Sequence, residues 1–185
     1  MKKIIIVGGG INGLCAAYYL QKSNHQITLI DSGDISSNCS FGNMGFLSPS
    51  HFVPLASPGI ISEGLKYMLN STSPFYIKPR LDLPFIQWAL RFYKSSNQKT
   101  VEKNSPYLSN LLNLSRRLMN EIRDEIGDVF EMEEIGCMMM CHGQKAFEDE
   151  IKLSKAAKKL NLDVEVLNRQ ELQKLEPDVE LDIYG

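Results

Sequence analysis

The chain has 185 residues, 43% of them apolar and 23% charged. That balance excludes a disordered, collagen-like or disulfide-stapled chain, and a 20.9 kDa body buries about 70% of its unfolded surface, enough for one core. A formal net charge of −2 excludes a global basic field, so nucleic acid is not an expected partner.

Ile4, Ile5, Ile6 and Val7 form a continuous β-branched run, the pattern of a strand buried on both faces of a parallel sheet. The run is too short for the apolar region of a signal peptide. No stretch approaches the ~20 apolar residues of a membrane span, so the expectation is a soluble, cytoplasmic protein. Glycines between Gly8 and Gly13 end the run. Residues 14–21, with Ala16, Ala17 and Leu20, read as a helix, residues 23–26 as a turn, and residues 27–30 as a second strand ending at Asp31. Strand, helix and strand within ~30 residues make a right-handed βαβ unit inside a sheet.

Residues 32–62 are rich in Ser, Gly, Asn and Pro, and a loop region that long is usually functional. Residues 63–69 read as a short helix. Pro84 opens another, a plain buried amphipathic helix carrying Phe85, Ile86, Trp88, Ala89, Leu90, Phe92 and Tyr93, with Arg91 and Lys94 on its far side. Ser105 and Pro106 form a cap-and-first-turn pair. The stripe Leu111, Leu114, Leu118, Ile122 follows, and Gly127 stops that helix. Residues 129–142 alternate loosely and read as one or two strands, with Met138, Met139 and Met140 packed in a core and Glu131, Glu133 and Glu134 along a solvated edge. A helix over 145–160, a strand over 164–167 and a last short helix capped by Asn168 with Glu171 and closed by Pro177 complete the chain.

Cys15, Cys39, Cys137 and Cys141 contain no CxxC pair and read as free thiols in a reducing compartment. Cys137, Cys141 and His142 have the wrong spacing for a zinc knuckle, so buried strand cysteines are expected and no metal site. His25, in a turn, and His51, in a loop, read as surface residues.

The strongest chemical signal is Gly8-Gly9-Gly10-Ile11-Asn12-Gly13. It follows a strand, opens a helix, and has Asp31 placed 18 positions after Gly13 at the end of the second strand. That context defines a dinucleotide-binding fingerprint. Gly8 permits the tight turn, Gly10 leaves room for a pyrophosphate, and Gly13 lets the helix pack closely. The N–H groups and dipole of the helix face the phosphates, and Asp31 accepts hydrogen bonds from the ribose. A carboxylate there repels a 2′-phosphate and so disfavours NADP. The fingerprint does not separate FAD from NAD, and residues 40–49 read, on residue chemistry alone, as a turn-rich loop.

Residues 4–31, together with Ser40-Phe41-Gly42-Asn43-Met44-Gly45, Ser48-Pro49 and Ala56-Ser57-Pro58-Gly59, strongly resemble the bacterial D-amino-acid dehydrogenases, within the D-amino-acid oxidase-like FAD-dependent oxidoreductases. The likeness runs on through residues 64–68, the Trp88 region, 134–140 and 167–177. It implies an α/β Rossmann-like FAD-binding βαβ unit followed by the first part of an α+β substrate domain, with residues 1–62 the cofactor unit and flavin-proximal loop and 63–185 a helical segment and partial substrate domain. Family members are much longer, so the chain reads as an amino-terminal portion, inactive by itself. The implied cofactor is FAD, held by Gly8, Gly9, Gly10, Ile11, Asn12, Gly13, Asp31 and Ser32, with Ser40, Asn43 and Gly45 running toward the isoalloxazine. The implied reaction is oxidation of a D-amino acid to a 2-oxo acid and ammonia by hydride transfer, with electrons leaving to a quinone or other membrane-associated acceptor and the protein peripheral on the inner face of the membrane. No catalytic side chain is assigned. The alternatives are another flavin-dependent amine or imino-acid oxidoreductase, such as a glycine or sarcosine oxidase or a hydroxyproline dehydrogenase, and a non-catalytic nucleotide-binding fragment.

Overall fold

The computed structural model describes residues 1–62, 64, 80 and 82–185. The helix expected over 63–69 lies, apart from residue 64, outside them. The chain divides into two units, Met1–Phe46 and Leu47–Gly185.

In the first unit, β1 (Lys3–Val7) and β2 (Gln26–Ile30) pair in parallel, from Lys3 opposite Gln26 to Val7 opposite Ile30. Helix α1 (Ile11–Lys22) connects them. The ladder runs on past both strand ends, because the Gln26 N–H donates to the Lys2 carbonyl at 2.9 Å and the Gly8 N–H to the Ile30 carbonyl at 2.7 Å. Side chains alternate across a strand, so Ile4, Ile6, Ile27 and Leu29 point one way and are half-buried. The other face stays open: Ile5 is 66% exposed and Val7 83%. Burial on both faces is therefore not what the fold provides. A single helix covers only one face of a two-stranded sheet, and nothing else described lies over the other.

The second unit is helical. Asp82 caps α2 (Leu83–Ser95), accepting from the Phe85 N–H at 2.8 Å, and Pro84 occupies the first turn where its missing N–H does no harm. Phe85, Trp88 and Phe92 contact one another in series at 5.7 and 5.5 Å between ring centroids. Contrary to the expected buried helix, Leu83, Ile86, Trp88, Leu90 and Tyr93 are exposed, because no described element covers them.

Helix α3 spans Gln98–Ile126 and is capped by Asn97, whose side chain accepts from the Thr100 N–H. It starts well before Ser105, so Ser105 and Pro106 are interior positions and not a helix start. Pro106 removes one i→i−4 bond, a local loss that the remaining turns outweigh. The helix does end at Gly127, where φ is 83° and a side chain would be strained. Its buried positions are Ser105 and Ser109. Along the apolar stripe, Leu111 is 62% exposed and Leu114 exposed, whereas Leu118 and Ile122 are half-buried. A stripe is buried only where another element lies against it.

Residues 129–142 and 164–167 form no strand. Alternation makes a strand only when a neighbour accepts its N–H groups. The one pairing here joins the Cys141 N–H to the Gly185 carbonyl at 2.9 Å and the Tyr184 N–H to the Cys141 carbonyl at 2.7 Å. Met138, Met139, Met140 and Cys137 are consequently exposed, whereas Cys141 is buried. Helices α4 (Gln144–Lys159) and α5 (Arg169–Leu175) follow. The Asn168 side chain accepts from the Gln170 and Glu171 N–H groups, and the Asn168 N–H in turn donates to the Glu171 carboxylate, a complete capping box. Leu172, Leu181 and Ile183 form a small core with Leu167 packed against it. Among the described residues no helix is long and apolar enough to cross a membrane.

Leu172→Ala removes the centre of this core and is expected to cost about 2–4 kcal/mol, read as a lowered denaturant midpoint. A loss below about 0.5 kcal/mol would show that the cluster does not hold the second unit together.

Candidate dinucleotide site

The first unit brings the fingerprint and Asp31 into one place. Gly8 has φ 111°, a left-handed turn that directs the chain out of β1. A Cβ on Gly13 would collide with the Gly8 carbonyl oxygen, so α1 lies against the turn as only glycine allows. Gly10 precedes the helix in extended conformation and offers no capping side chain. Ser40 supplies the cap from another segment: its Oγ accepts from the Ile11 N–H at 3.0 Å. Gly9 is buried, and its N–H donates to Asp31 Oδ2 at 2.5 Å.

Asp31 ties the turn to β2. Its second oxygen accepts from the Gly33 N–H at 2.9 Å. These backbone donors, Gly9 first, then Gly33, with Ser32 adding a smaller share, hold the Asp31 carboxyl below its ordinary value of 3.8. The carboxylate stays ionised and keeps lone pairs to accept a sugar hydroxyl. Ser32 takes part through its backbone, and its side chain is exposed.

The strap after β2 folds over the turn. Asp34 caps a 3₁₀ turn (Ile35–Ser37) by accepting from Ser36. Asn38 donates to the carbonyls of Ile35, at 2.8 Å, and Gly9, at 3.3 Å, while its oxygen accepts from the Ser40 and Phe41 N–H groups. Asn38 is the residue that sequence reasoning passes over. Its signal was an Asn two places before Ser40, the spacing of an Asx turn. An open cavity of about 380 Å³ lies here, lined by Gly9, Ile11, Leu14, Ile35, Asn38, Ser40, Phe41 and their neighbours. A larger one, about 780 Å³, runs along α3 and is lined by Asn, Arg and acidic side chains. None of the sequence-derived site residues lines it.

Asn43 and Gly45 belong to a turn of their own. Asn43 donates to the Ser40 carbonyl at 2.5 Å and accepts from the Gly45 N–H at 2.6 Å, and Gly45 has φ 70°. Both are exposed, as is Asn12 on the outer side of α1.

A strand, a glycine turn, a helix N-terminus and a carboxylate at the next strand end define a βαβ dinucleotide fold. The pattern of the FAD dependent oxidoreductase family matches residues 3–185, and the chain belongs to that family. It is similar to a D-amino acid dehydrogenase of Helicobacter pylori, 32% identical over 82% of this chain and 37% of the relative. It is 28% identical to one of Granulibacter bethesdensis, over 96% of this chain and 43% of that protein. A third, from Methylobacterium sp. (strain 4-46), is 26% identical over 79% of this chain and 35% of its own length. The chain thus spans less than half the length of these relatives. No solved structure matches it. The family's cofactor is FAD, and the glycine cradle beside the head of α1, open at Gly8 and approached at Gly10 by the Ser40 hydroxyl, fits a diphosphate.

Gly13→Ala is expected to unfold or displace α1, because its methyl group meets a backbone oxygen that cannot move aside. A Gly13→Ala protein with unchanged helix content and melting temperature would contradict this. Asp31, with its pKa held below the ordinary value, stabilises the fold above the ordinary carboxylate range, and that contribution is lost as pH falls through the lowered pKa. Wild type should therefore exceed Asp31→Asn in stability at neutral pH, and the gap should close below about pH 4. A gap that is constant with pH would exclude the charge as its cause.

Proposed function

We propose that the protein oxidises D-amino acids to 2-oxo acids and ammonia, using FAD bound at the βαβ unit. The single observation behind this reading is the glycine corner at the head of α1, where Gly10 brings no side chain of its own and only the Ser40 hydroxyl approaches, within the same small unit as the Asp31 carboxylate. The relatives' shared description as D-amino acid dehydrogenases supports the substrate class.

In this reading Gly8, Gly9, Gly10, Ile11, Asn12 and Gly13 hold the diphosphate. Backbone N–H groups and the positive end of α1 neutralise its charge without a cationic side chain. Asp31, with Ser32 beside it, grips the adenosine ribose and fends off a 2′-phosphate. Asn43 and Gly45 continue along the cofactor toward its ring, and the flavin-proximal loop extends to residue 62. Bound FAD would supply the acceptor for the two electrons that leave the substrate Cα as a hydride. The amino nitrogen loses its proton to solvent, and water adds to the resulting imine to release ammonia. The chain's own task is orientation, because the chemistry needs no protein nucleophile. Electrons pass on to a quinone or other membrane-associated acceptor. Helix α2, with Trp88, Leu90 and Tyr93 exposed and Arg91 and Lys94 as its only charges, is the element suited to a bilayer surface.

The whole protein that contains this chain should purify with a flavin absorbance band and reduce an artificial dye with D-alanine or another D-amino acid. Gly10→Val should lose the flavin while keeping its helix content. Dye reduction by glycine, sarcosine or hydroxyproline in place of D-amino acids would move the assignment to another amine-oxidising flavoenzyme. A colourless wild-type protein that FAD does not restore would end the reading altogether.

A further inference from the structure

Ser40 stands at the one place where the fingerprint needs room. Its Oγ accepts from the Ile11 N–H, the first helical amide of α1, at 3.0 Å. The same oxygen lies 3.0 Å from where a Cβ on Gly10 would sit. The hydroxyl therefore fills the space that the missing side chain leaves, and engages a donor that a diphosphate would use. One N–H cannot point at two oxygens with full strength.

We propose that Ser40 is an exchangeable cap, which holds the head of α1 and is displaced by the diphosphate of FAD. This rests on the FAD-binding reading above and deepens it: Ser40 belongs to the phosphate end of the site and competes with the cofactor there. A phosphate oxygen is the stronger partner, since a hydrogen bond to an ionised acceptor is roughly twice as strong as a neutral one and the helix dipole adds to it. Exchange is therefore downhill.

Asn38 makes the exchange local. Its side chain ties the strap to Gly9 and to Ile35 and also receives the Ser40 and Phe41 N–H groups. The backbone of the strap stays anchored through Asn38 while the Ser40 side chain, half-buried at the edge of the cavity, turns away. The capped form lowers apparent affinity by the fraction of molecules whose corner is open.

The test is rapid mixing of the cofactor-free whole protein with FAD, following flavin fluorescence, for wild type, Ser40→Ala and Ser40→Thr. Removing one neutral hydrogen bond should raise the association rate and the affinity of Ser40→Ala together, each about fivefold, with dissociation unchanged. Ser40→Thr retains the hydroxyl and should bind at the wild-type rate. Circular dichroism confirms that each variant is folded. Faster dissociation from Ser40→Ala would show that Ser40 holds the bound cofactor, and would overturn the proposal while leaving the FAD site intact. Equal rates for all three proteins, or a Ser40→Thr protein that behaves like Ser40→Ala, would also overturn it. Absence of FAD binding to wild type would defeat the proposal together with the reading beneath it.

Discussion

The close approach of α1 to the turn that precedes it governs the first unit. With no side chain at Gly13, the helix settles against the Gly8 carbonyl, and its first amide, that of Ile11, meets the Ser40 hydroxyl beside Gly10. Asp31 then fastens that turn from the far strand by taking the Gly9 N–H. Register matters as much as residue identity here. Because Val7 lies opposite Ile30, the residues that follow each strand, Gly8 and Asp31, emerge at the same end of the sheet. A slip of one residue would move the carboxylate away from the turn.

Electrostatically the site is built almost wholly from backbone. No lysine or arginine lies in the fingerprint or among the residues that line the smaller cavity. Positive potential comes from amides at the head of α1, and negative charge from two carboxylates, Asp31 and the cavity-lining Asp34, each pinned by neighbouring hydrogen-bond donors. Such groups are fixed by the fold before a ligand arrives, so the rearrangement that binding would ask of them is confined to the Ser40 hydroxyl at the Ile11 N–H.

The sequence made the βαβ unit legible because its signals are local. A β-branched run, glycines at fixed spacing and a terminal carboxylate each specify a backbone geometry that needs no distant partner. The cap at Asn168 and the stop at Gly127 were legible for the same reason. What misled were patterns whose meaning depends on neighbours. Ser105 and Pro106 resemble a helix start, yet Asn97 captures the cap first and the helix runs through them. The alternation around Met138 and the stripe through Leu111 describe faces able to pack, and a face able to pack stays exposed when nothing lies on it. In the site, Asn38 escaped notice because its work is done through two carbonyls that only the folded turn brings near.

The uncovered side of the small sheet has its own consequence. Ile5, Val7 and Ile30 present hydrocarbon to water along parallel strands whose outer edges pair with no other described strand. Surface of this kind is self-adhesive. Residues 1–46 expressed as a separate peptide would gather into aggregates, so a minimal nucleotide-binding fragment cut at the boundary between the two units would need polar replacements along that strip to remain dispersed.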